Sequence, residues 1–599
     1  MFASALCHLT HETDLCIVGG GLSGLCAAVA AARAGTKVIL IQDRPMLGGN
    51  SSSEIRMWVR GAKGQCNRET GILSEMEEEN IYRNPTLEAP LWDSVMYGTA
   101  MREKNLTLML NCSVADAETK NGRIISVTGW QLTTYTWHTV RARYFADCSG
   151  DSILAPLVGA RYRVGREASA EFNETIGHEL SDRKTMGMSC LLQARETDGP
   201  VKFTPPDWAN VYESDDCFIS AVSPLTGKAL IRDHKIGTSG CNLWWIELGG
   251  EDDSIHDTER MREELLKAAF GVWDHIKNHG DHGCENWVLE WVGFLPGKRE
   301  SRRYEGGMML TQNDLEAGGL FDDVVAFGGW PMDDHNPCGI RMTEAKEEAS
   351  IVYRVPSPYG IPYRVMYSVN VPNLFVAGRN ISATHAALSS TRVMATCSLI
   401  GQAMGTAAAI ACRESVDPAD IYPKYVPELQ ARLMEDNCFL PGLARQMPAL
   451  TRKASIDLPT AELALLQDGI ERPRPDADHA ATLPVGGALT FTFERPELVK
   501  ELRIVFDPDF SRESVSPNRK MRVFAQRLHT GKDFVPMKVP ATLVRCFSVF
   551  ADGEPIAEVT ENYHSLVKLS LNVTARTVIV RFDATWGAEQ VRLYACDVK

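Results

Sequence analysis

The segment DLCIVGGGLSGLCAAVAAARAGTKVILI, residues 14–41, constrains this 599-residue chain more than any other. A short apolar stretch leads into Gly19-x-Gly21-x-x-Gly24, a run of small residues follows, and a second apolar stretch ends at Ile41. This order predicts a strand, a tight glycine turn, a helix and a parallel strand. Gly19 permits the turn, Gly21 admits a pyrophosphate close to the backbone, and Gly24 lets helix and strand pack closely. Because the helix N-terminus offers unpaired N–H groups to phosphates, the sequence predicts a dinucleotide-binding α/β domain.

The position of the ribose contact holds an uncharged residue. Folds of this kind place Asp or Glu about 20 residues beyond the glycine turn. This chain has Gln42 there, followed by Asp43 and Arg44. A Gln amide can donate to and accept from ribose hydroxyls, so we expect a weaker, uncharged contact and expect Gln42→Glu to tighten binding or leave it unchanged. Arg44 leaves NADP open as an alternative, because arginine pairs with a 2′-phosphate.

Two later segments favour a flavin over a nicotinamide. RYFADCSGDSILAPLVGARY, residues 143–162, predicts a strand followed by a helix. VPNLFVAGRNISATHAALSSTRVMATCSLIGQAMGTAAAIA, residues 371–411, predicts a strand ending at Gly378-Arg379 and a long helix from about Arg392. FAD folds bring such a late strand and helix back to the cofactor, with the helix N-terminus aimed at the flavin pyrimidine ring. The sequence has no second glycine turn of the same kind, which argues against a separate NAD(P)H-binding domain.

These motifs together resemble the single-Rossmann FAD-dependent oxidoreductases of the glutathione-reductase-like superfold, relatives of the succinate dehydrogenase and fumarate reductase flavoproteins. The resemblance covers GGGLSG, RPMLGGNSSS, ADCSGD, GKRESRRYEGG, GWPMDDHNP and the stretch from NLFVAGRNISATH to GQAMGTAAA. It implies an enzyme that holds FAD non-covalently, since the sequence shows no recognised attachment motif. The implied cofactor-binding residues are Gly19, Gly21, Leu22, Ser23, Gly24, Gln42, Asp43, Arg44, Gly49, Asn50, Ser51, Ser52, Ser149, Gly150, Asp151, Gly378, Arg379, Arg392 and Val393.

The implied fold class is an α/β FAD-binding Rossmann-like domain with an inserted α+β substrate domain and a C-terminal antiparallel β-sandwich. We assign FAD binding to 14–165 and 356–412, the substrate insert to 166–355, a helical linker to 413–455 and the sandwich to 456–599. The last assignment follows from alternating apolar and polar residues broken by turn residues. The alternating stretches are ALTFTFE, KELRIVFD, KMRVFAQ, HSLVKLSLNV, RTVIVRF and EQVRLYACDV. Segments such as TWGAEQVRLYACDV resemble discoidin-type or galactose-binding-like domains, with a structural or oligomerisation role as the alternative.

Four residues are candidates for catalysis: His335, His385, Arg302 and Asp334. A histidine beside carboxylates can carry a proton near neutral pH, so His335 and His385 are candidate bases, with a structural hydrogen bond as the alternative for each. Arg302 belongs to a basic cluster that suits a substrate carboxylate or the charge of reduced flavin, with a solvated turn as the alternative. Adjacent Asp, Asp and His side chains rarely converge on one ion, so we predict no metal site.

The composition limits the other classes of function. A net charge of −15 argues against nucleic-acid partners and anionic membranes. The 16 cysteines include no CxxC pair, which argues against a zinc ribbon and favours a reducing, cytoplasmic setting. The N-terminus lacks the pattern of a signal peptide, and we expect no membrane span, since no run reaches the roughly 18 apolar residues required.

The sequence therefore predicts an FAD-dependent oxidoreductase that acts on a polar small molecule, with CH–OH oxidation of a carbohydrate or sugar acid as the leading hypothesis. Tryptophans of the insert, such as Trp273, either fill its core or line a sugar-binding cleft. Two alternatives remain open. One is a redox-neutral flavoenzyme, either an isomerase or a lyase or glycosidase that works by transient oxidation. The other is a carbohydrate-binding protein with a vestigial flavin site. A homo-oligomer is compatible with either.

Overall fold

The structure is a computed structural model that describes residues 7–64, 66–222, 226, 228–237, 240–343, 348–510 and 525–599. The chain divides into two compact units, each assembled from segments that are distant in sequence. The first unit comprises Met1–Ala62, Glu88–Val426 and Phe524–Val535, and the second comprises Lys63–Leu87, Pro427–Val523 and Pro536–Lys599.

The described residues form both helices and strands, numbered in chain order. The helices are α1 (Leu22–Arg33), α2 (Ile72–Arg83), α3 (Ala89–Met101), α4 (Leu154–Val158), α5 (Ser169–Phe172), α6 (Thr258–Asn278), α7 (Gln312–Glu316), α8 (His385–Thr391), α9 (Met394–Glu414), α10 (Val426–Glu435), α11 (Ala449–Lys453) and α12 (Thr460–Leu466). The strands are β1 (Cys7–Val18), β2 (Val38–Ile41), β3 (Leu106–Met109), β4 (Cys112–Lys120), β5 (Arg123–Gln131), β6 (Thr136–Asp147), β7 (Tyr162–Arg163), β8 (Met188–Ser189), β9 (Leu192–Glu196), β10 (Ile219–Val222), β11 (Ala229–Ile231), β12 (Glu247–Leu248), β13 (Trp287–Val292), β14 (Gly297–Lys298), β15 (Arg303–Tyr304), β16 (Val324–Gly328), β17 (Met332–His335), β18 (Ser350–Tyr353), β19 (Tyr359–Pro362), β20 (Leu374–Val376), β21 (Ser455–Ile456), β22 (Ala481–Pro484), β23 (Ala488–Phe506), β24 (Val544–Ala551), β25 (Glu554–Val559), β26 (Leu566–Thr585) and β27 (Gln590–Val598).

The first unit is built on a seven-stranded sheet in the order β3-β2-β1-β6-β5-β4, with β20 beside the end of β6. Strands β1, β2, β3, β6 and β20 pair in parallel, whereas β4, β5 and β6 pair antiparallel. The predicted strand at 14–18 is the end of the longer strand β1, which begins at Cys7. All four residues of β2 are buried, as expected for a parallel strand that is covered on both faces. The βαβ unit predicted from the glycine turn is confirmed.

Helices α1 and α9 pack closely because glycines of α9 face the backbone of α1. A Cβ atom on Gly401 would lie 2.0 Å from Ser23 O, and one on Gly405 would lie 2.1 Å from Ala27 O. Only a residue without a side chain permits this approach. In the part of the chain that the structure describes, α9 is the one helix that is long and apolar enough to cross a membrane. However, 94% of its most apolar 18-residue stretch is buried in the protein. A buried core helix passes the same test, so α9 is weak evidence for a membrane span.

Between β6 and β20 the described residues form short antiparallel sheets of two or three strands and the 21-residue helix α6. Trp273 on this helix is fully buried, and Trp245 and Trp287 are 3% and 8% exposed. These three tryptophans belong to one apolar core, which supports core filling over a sugar-binding role for them. Trp208, in contrast, is 45% exposed.

The second unit contains the predicted C-terminal antiparallel sheet, in the order β22-β27-β23-β26-β24-β25 with β21 beside β23. Strand β23 has 19 residues and joins the stretches predicted as separate strands at 488–494 and 500–507. Strand β26 has 20 residues and likewise joins the stretches predicted at 564–573 and 576–582. The pairing of β23 with β26 absorbs the interruptions through register shifts, such as the one between Thr492 and Glu497. The strand predicted at 520–526 lies almost entirely outside the described residues.

Candidate active site

The glycine turn between β1 and α1 leaves room for a ligand at one of its three glycines. Gly19 has a φ of +103°, and a Cβ atom there would lie 2.5 Å from the backbone of Cys148. A Cβ atom on Gly24 would lie 1.9 Å from Gly19 O, so the glycine permits α1 to approach β1. A Cβ atom on Gly21 would meet only Gly49 Cα, at 3.9 Å. The space beside Gly21 at the N-terminus of α1 is therefore where a pyrophosphate fits.

The Gln42 side chain is 2% exposed and bonds the backbone at both ends of its amide. Its Oε1 accepts the Gly20 N–H at 2.7 Å, and its Nε2 donates to Met46 O at 3.2 Å. Gln42 thus ties the glycine turn to the loop after β2. A ribose would have to use the second lone pair or the second N–H of this amide, so the ribose contact stays a prediction.

Arg44 lies between two carboxylates. Its Nε is 3.6 Å from Asp43 Oδ1, and its Nη1 is 3.6 Å from Glu54 Oε2. The Asp43 side chain is 60% exposed, and Arg44 is 23% exposed. Because nearby acids repel a phosphate dianion, this environment disfavours the NADP alternative.

The loop at residues 48–52 lies against the glycine turn. Gly48 has a φ of +97° and donates its N–H to Gly20 O at 2.8 Å. A Cβ atom on Gly49 would lie 3.1 Å from Gly21 Cα, so a side chain there would crowd the turn. The next two side chains bond to backbone oxygens: Asn50 Nδ2 donates to Lys298 O at 2.9 Å, and Ser51 Oγ donates to Gly48 O at 3.0 Å.

Strand β6 ends at Asp147, a buried carboxylate that organises the following loop. Its Oδ1 accepts the N–H and the hydroxyl of Ser149, at 3.0 and 2.6 Å. Its Oδ2 accepts the Tyr304 hydroxyl at 2.7 Å and the Leu154 N–H at 2.9 Å. Burial raises the pKa of Asp147 in spite of these donors. Ser149 is therefore held by Asp147, which sets the path of the loop beside β1.

Asp151 joins this loop to the residues that follow β20. Its Oδ1 lies 2.7 Å from Arg379 Nη2, and its Oδ2 lies 2.8 Å from Lys298 Nζ. Burial opposes ionisation, but Arg379 and Lys298 together lower the pKa of Asp151 to about 2. A Cβ atom on Gly150 would lie 2.7 Å from Arg379 Cζ, so the guanidinium packs directly on the loop. Gly378, with a φ of +112°, turns the chain into this arrangement.

The long helix predicted from about Arg392 consists of two helices in the structure. Helix α8 ends at Thr391, and α9 begins at Met394. Val393 between them is extended, with φ −66° and ψ 142°, so the chain leaves the helical conformation for one residue. Arg392 Nη2 donates to Asp333 O at 3.0 Å. Arg392 and Val393 thus precede the N-terminus of α9 instead of lying in its first turns.

The residues of this site fit a dinucleotide. The first turn of α1 carries no acidic residue, so nothing there opposes a pyrophosphate. Five buried polar atoms on the flanking elements lack a hydrogen-bond partner within the described part of the chain: Ser23 Oγ, Ser52 Oγ, Arg379 Nε, Thr391 Oγ1 and Thr396 Oγ1. Buried polar groups are nearly always hydrogen-bonded, so these unsatisfied atoms are compatible with a ligand that supplies the missing partners.

His385 lies between two carboxylates. Its Nδ1 is 2.9 Å from Glu300 Oε2, and its Nε2 is 3.0 Å from Asp334 Oδ1. Its backbone N–H donates to Glu167 Oε2 at 2.8 Å. Burial alone would lower the pKa of His385, but Glu300 and Asp334 raise it to about 10. A histidine that is already protonated at neutral pH cannot accept a proton, so the structure favours a fixed cation over the predicted base.

His335 belongs to a second cluster of charged side chains. Its Nδ1 lies 2.7 Å from Glu247 Oε2, which is also 3.2 Å from Arg299 Nη1. Its Nε2 is 3.4 Å from Asp333 Oδ2, longer than an ordinary N–H···O hydrogen bond. With the Nδ1–H assigned as the donor to Glu247, Nε2 carries the lone pair and can accept a proton. The predicted role of His335 as a base stays a prediction.

Strand β17 carries residues of both charged clusters, that of His385 and that of His335. Because successive side chains on a strand point to opposite faces, Asp334 faces His385, whereas Asp333 and His335 share the other face. Among the described residues Arg302 contacts neither of these charged clusters, and its guanidinium lies 5.5 Å from the centroid of the Tyr162 ring. The structure thus joins three of the four predicted catalytic residues and leaves Arg302 apart from them.

Glu300 and Glu247, the acids at Nδ1 of the two histidines, were not predicted from the sequence, whereas Asp334 was. Glu300 lies inside GKRESRRYEGG, and only the cationic residues of this segment entered the site prediction. A glutamate among these cations was the sequence feature that could have indicated a buried ion pair. Glu247 lies 88 residues before His335 in a stretch without a motif, so nothing local pointed to it.

A family model described as FAD dependent oxidoreductase matches residues 14–433. Over 160 residues the chain is 26% identical to the thiamine thiazole synthase of Methanococcus aeolicus, which covers 25% of this chain and 59% of that protein. The chain therefore spans less than two thirds of this relative. A geranylgeranyl bacteriochlorophyll reductase-like protein from Thermoplasma acidophilum is a similar solved structure, with 13% identity, 72% of this chain and 85% of that chain covered, and a TM-score of 0.31. The E. coli quinol fumarate reductase shows 12% identity, coverage of 74% and 76%, and a TM-score of 0.27.

Proposed function

Because the chain belongs to the FAD dependent oxidoreductase family, we propose that it oxidises a CH–OH group of a polar small molecule beside the Glu247–His335 pair. Bound FAD supplies the two-electron oxidation, and the protein supplies placement and proton transfer. The contact of 2.7 Å between His335 Nδ1 and Glu247 Oε2 carries this proposal. It fixes the orientation of the imidazole and leaves Nε2 as the proton acceptor.

In this proposal His335 Nε2 takes the proton of the substrate hydroxyl. Glu247 stabilises the imidazolium that forms, as a carboxylate does for a histidine base in other active sites. Burial would raise the pKa of Glu247, but Arg299 and His335 lower it below its ordinary value. Glu247 is therefore ionised at neutral pH and able to serve in this way.

His385 and Asp334 position the substrate. The Asp334 side chain is 21% exposed, and one of its oxygens is held by His385 at 3.0 Å. The other oxygen can accept a hydrogen bond from a second hydroxyl of a polyol. Burial opposes ionisation of Asp334, but His385 lowers its pKa. This support for a hydroxyl-rich substrate makes carbohydrates and sugar acids the first class to test.

The proposal also includes the division of the chain. Residues 14–165 and 356–412 hold FAD non-covalently, and residues 166–355 supply substrate contacts. Residues 413–455 link them to the C-terminal part, residues 456–599, which we propose to be a galactose-binding-like β-sandwich. The charge of −15 supports a small-molecule substrate over a nucleic acid, and the scattered cysteines support a cytoplasmic setting.

The test is anaerobic reduction of the FAD-loaded protein by a panel of polyols, sugars and sugar acids, followed as loss of the visible flavin absorbance. His335→Gln should slow reduction by the best compound by about 10²–10⁴-fold, because it removes the base. FAD content should not change. His256→Gln replaces an exposed histidine and serves as the matched control.

Three outcomes would refute part or all of the proposal. Reduction at the wild-type rate in His335→Gln, or no reduction by any compound of the panel, refutes CH–OH oxidation at this site. Colour that is lost and then returns without an electron acceptor replaces net oxidation by the redox-neutral alternative.

A further inference from the structure

Three side chains of the insert, which belong to neither the His335 nor the His385 cluster, bring potential metal-ligand atoms together. They are Asp215, His275 and His282. His275 Nε2 lies 3.0 Å from Asp215 Oδ1 and 3.1 Å from His282 Nε2. His282 Nε2 lies 3.5 Å from Asp215 Oδ1. The three atoms thus form a nearly equilateral triangle on elements that the fold brings together.

The size of this triangle matches one face of a zinc tetrahedron. Zinc bound to nitrogen and oxygen at about 2.0–2.1 Å has neighbouring ligand atoms roughly 3.3 Å apart. The observed separations of 3.0, 3.1 and 3.5 Å scatter around that value. A point about 2.05 Å from all three atoms lies roughly 0.9 Å from their plane, close to the position of zinc in a regular tetrahedron.

The hydrogen bonding of His275 prepares its Nε2 as a ligand. The ring is fully buried, and its Nδ1 lies 2.9 Å from Tyr212 O. A carbonyl oxygen only accepts, so Nδ1 carries the hydrogen and Nε2 of the neutral ring carries the lone pair. That lone pair faces the Asp215 carboxylate, and two acceptors at this distance repel each other unless a proton or a metal ion lies between them. Histidines that bind metals nearly always donate their other N–H in this way.

A third imidazole lies beside the triangle. The His234 ring centroid is 5.3 Å from that of His275 and 5.6 Å from that of His282. His234 is 7% exposed, and its Nε2 is buried with no hydrogen-bond partner among the residues that the structure describes. A buried imidazole nitrogen without a partner is costly, so this atom independently points to a missing ligand. It can serve the fourth position directly or through a water molecule.

We infer that Asp215, His275 and His282 bind one Zn²⁺ ion. Two imidazoles and one carboxylate in near-tetrahedral positions suit zinc, whereas Mg²⁺ and Ca²⁺ prefer six or more oxygen ligands. The ion joins the turn Asp215–Phe218 to the C-terminal end of α6 and to the loop after it. This inference departs from the expectation of no metal site, which rested on the Asp-Asp-His run and on the absence of a CxxC pair. The segment HIKNHGDH held the overlooked signal.

The experiment uses the full-length, FAD-loaded protein. It is stripped with a chelator, equilibrated with ZnCl₂, passed through a desalting column, and analysed for zinc by elemental analysis. Asp215→Asn and His282→Gln each remove one ligand, and the Asp215 side chain is 49% exposed, so its replacement leaves the core intact. His279→Gln is the matched control, because His279 belongs to the same segment but bonds Asp274 at 3.1 Å. Circular dichroism verifies the folding of each variant.

We expect one zinc per chain in the wild type and in His279→Gln, and a Kd for zinc raised at least about tenfold in both ligand variants. Cobalt in place of zinc should give the absorption of a tetrahedral site as a difference spectrum, which both variants lose. No zinc retained by the wild type, or equal zinc in all four proteins, overturns the inference. In that case the three side chains share protons instead of a metal. Because the readout is metal content, its failure leaves the proposed oxidation untouched.

Discussion

His385 Nε2 lies 3.0 Å from Asp334 Oδ1, while its Nδ1 lies 2.9 Å from Glu300 Oε2 on the opposite side of the ring. Both nitrogens are therefore engaged by anions in a buried setting, and the imidazole is held as a cation. This relationship separates the roles of two histidines that look alike in sequence. His385 is hydrogen-bonded to a carboxylate at each nitrogen, whereas His335 is hydrogen-bonded to Glu247 at Nδ1 and lies 3.4 Å from Asp333 Oδ2 at Nε2.

Removing Glu300 should lower the pKa of His385 and destabilise the protein. Glu300→Gln leaves a buried cation with one anion instead of two, and breaking a buried ion pair in this way costs about 3–5 kcal/mol. The pKa is measured by NMR titration of the histidine ring, identified by its absence in His385→Gln. Glu259→Gln is the control, because the Glu259 side chain is 77% exposed. An unchanged His385 titration in Glu300→Gln would contradict the ion-pair account.

The contribution of His385 to stability should disappear in alkali. Its pKa is raised from the ordinary value of 6.5 to about 10, so the contribution is fully present below pH 6.5 and is lost as pH rises towards 10. We expect the difference in unfolding free energy between wild type and His385→Gln to shrink over this pH interval. Urea unfolding at a series of pH values measures it. A difference that grows with pH would show that the ring is neutral in the folded protein.

Gln42→Glu should weaken FAD binding, opposite to the direction expected from sequence. The carboxylate keeps the contact with the Gly20 N–H, but it replaces the amide donor 3.2 Å from Met46 O with an oxygen that repels the carbonyl. The residue is also 2% exposed, which disfavours a charge. We expect the Kd for FAD to rise about tenfold, equivalent to about 1.4 kcal/mol. Fluorescence titration of the apoprotein with FAD measures it, and tighter binding would instead support a direct ribose contact.

Gly21→Val should abolish FAD binding without preventing folding. The nearest atom to a Cβ at Gly21 is Gly49 Cα at 3.9 Å, so the protein itself tolerates the start of a side chain, whereas the pyrophosphate does not. Gly199→Val is the matched control, because nothing lies within 4 Å of a Cβ at that position. The FAD content of purified protein and its circular dichroism spectrum provide the measurements. Stoichiometric FAD in Gly21→Val would remove the dinucleotide assignment from this turn.

The sequence predicted well where a feature is local. The order of apolar strand, glycine turn and small-residue helix determined β1, α1 and β2, since each glycine is required by a contact within this unit. Alternation likewise located the C-terminal strands, but it divided β23 and β26 wrongly. Both strands continue through turn-like residues, because a paired neighbour can absorb an interruption by a register shift that a single strand does not reveal.

The sequence predicted poorly where a role depends on partners that are distant along the chain. Glu300 lies 85 residues from His385, and its effect on that histidine exists only after folding. The same holds for Asp215, which is 60 residues from His275. Gln42 was placed correctly in the chain, but the direction of its side chain follows from the Gly20 N–H and the Met46 carbonyl. Residue type and spacing do not encode such convergence.

NADPH and NADH should reduce the bound flavin slowly. Arg44, which suggested NADP, lies 3.6 Å from the carboxylates of both Asp43 and Glu54, which would repel a 2′-phosphate. The single glycine turn of this type in the sequence is assigned to FAD, so no second nucleotide has a matching helix N-terminus. We expect rate constants far below the roughly 1–10³ s⁻¹ of typical enzymes. Anaerobic stopped-flow with each nucleotide measures them, and Glu54→Gln tests whether a neighbouring acid excludes NADPH. Rapid, saturable reduction of the wild type by NADPH would overturn the assignment of this site to FAD alone.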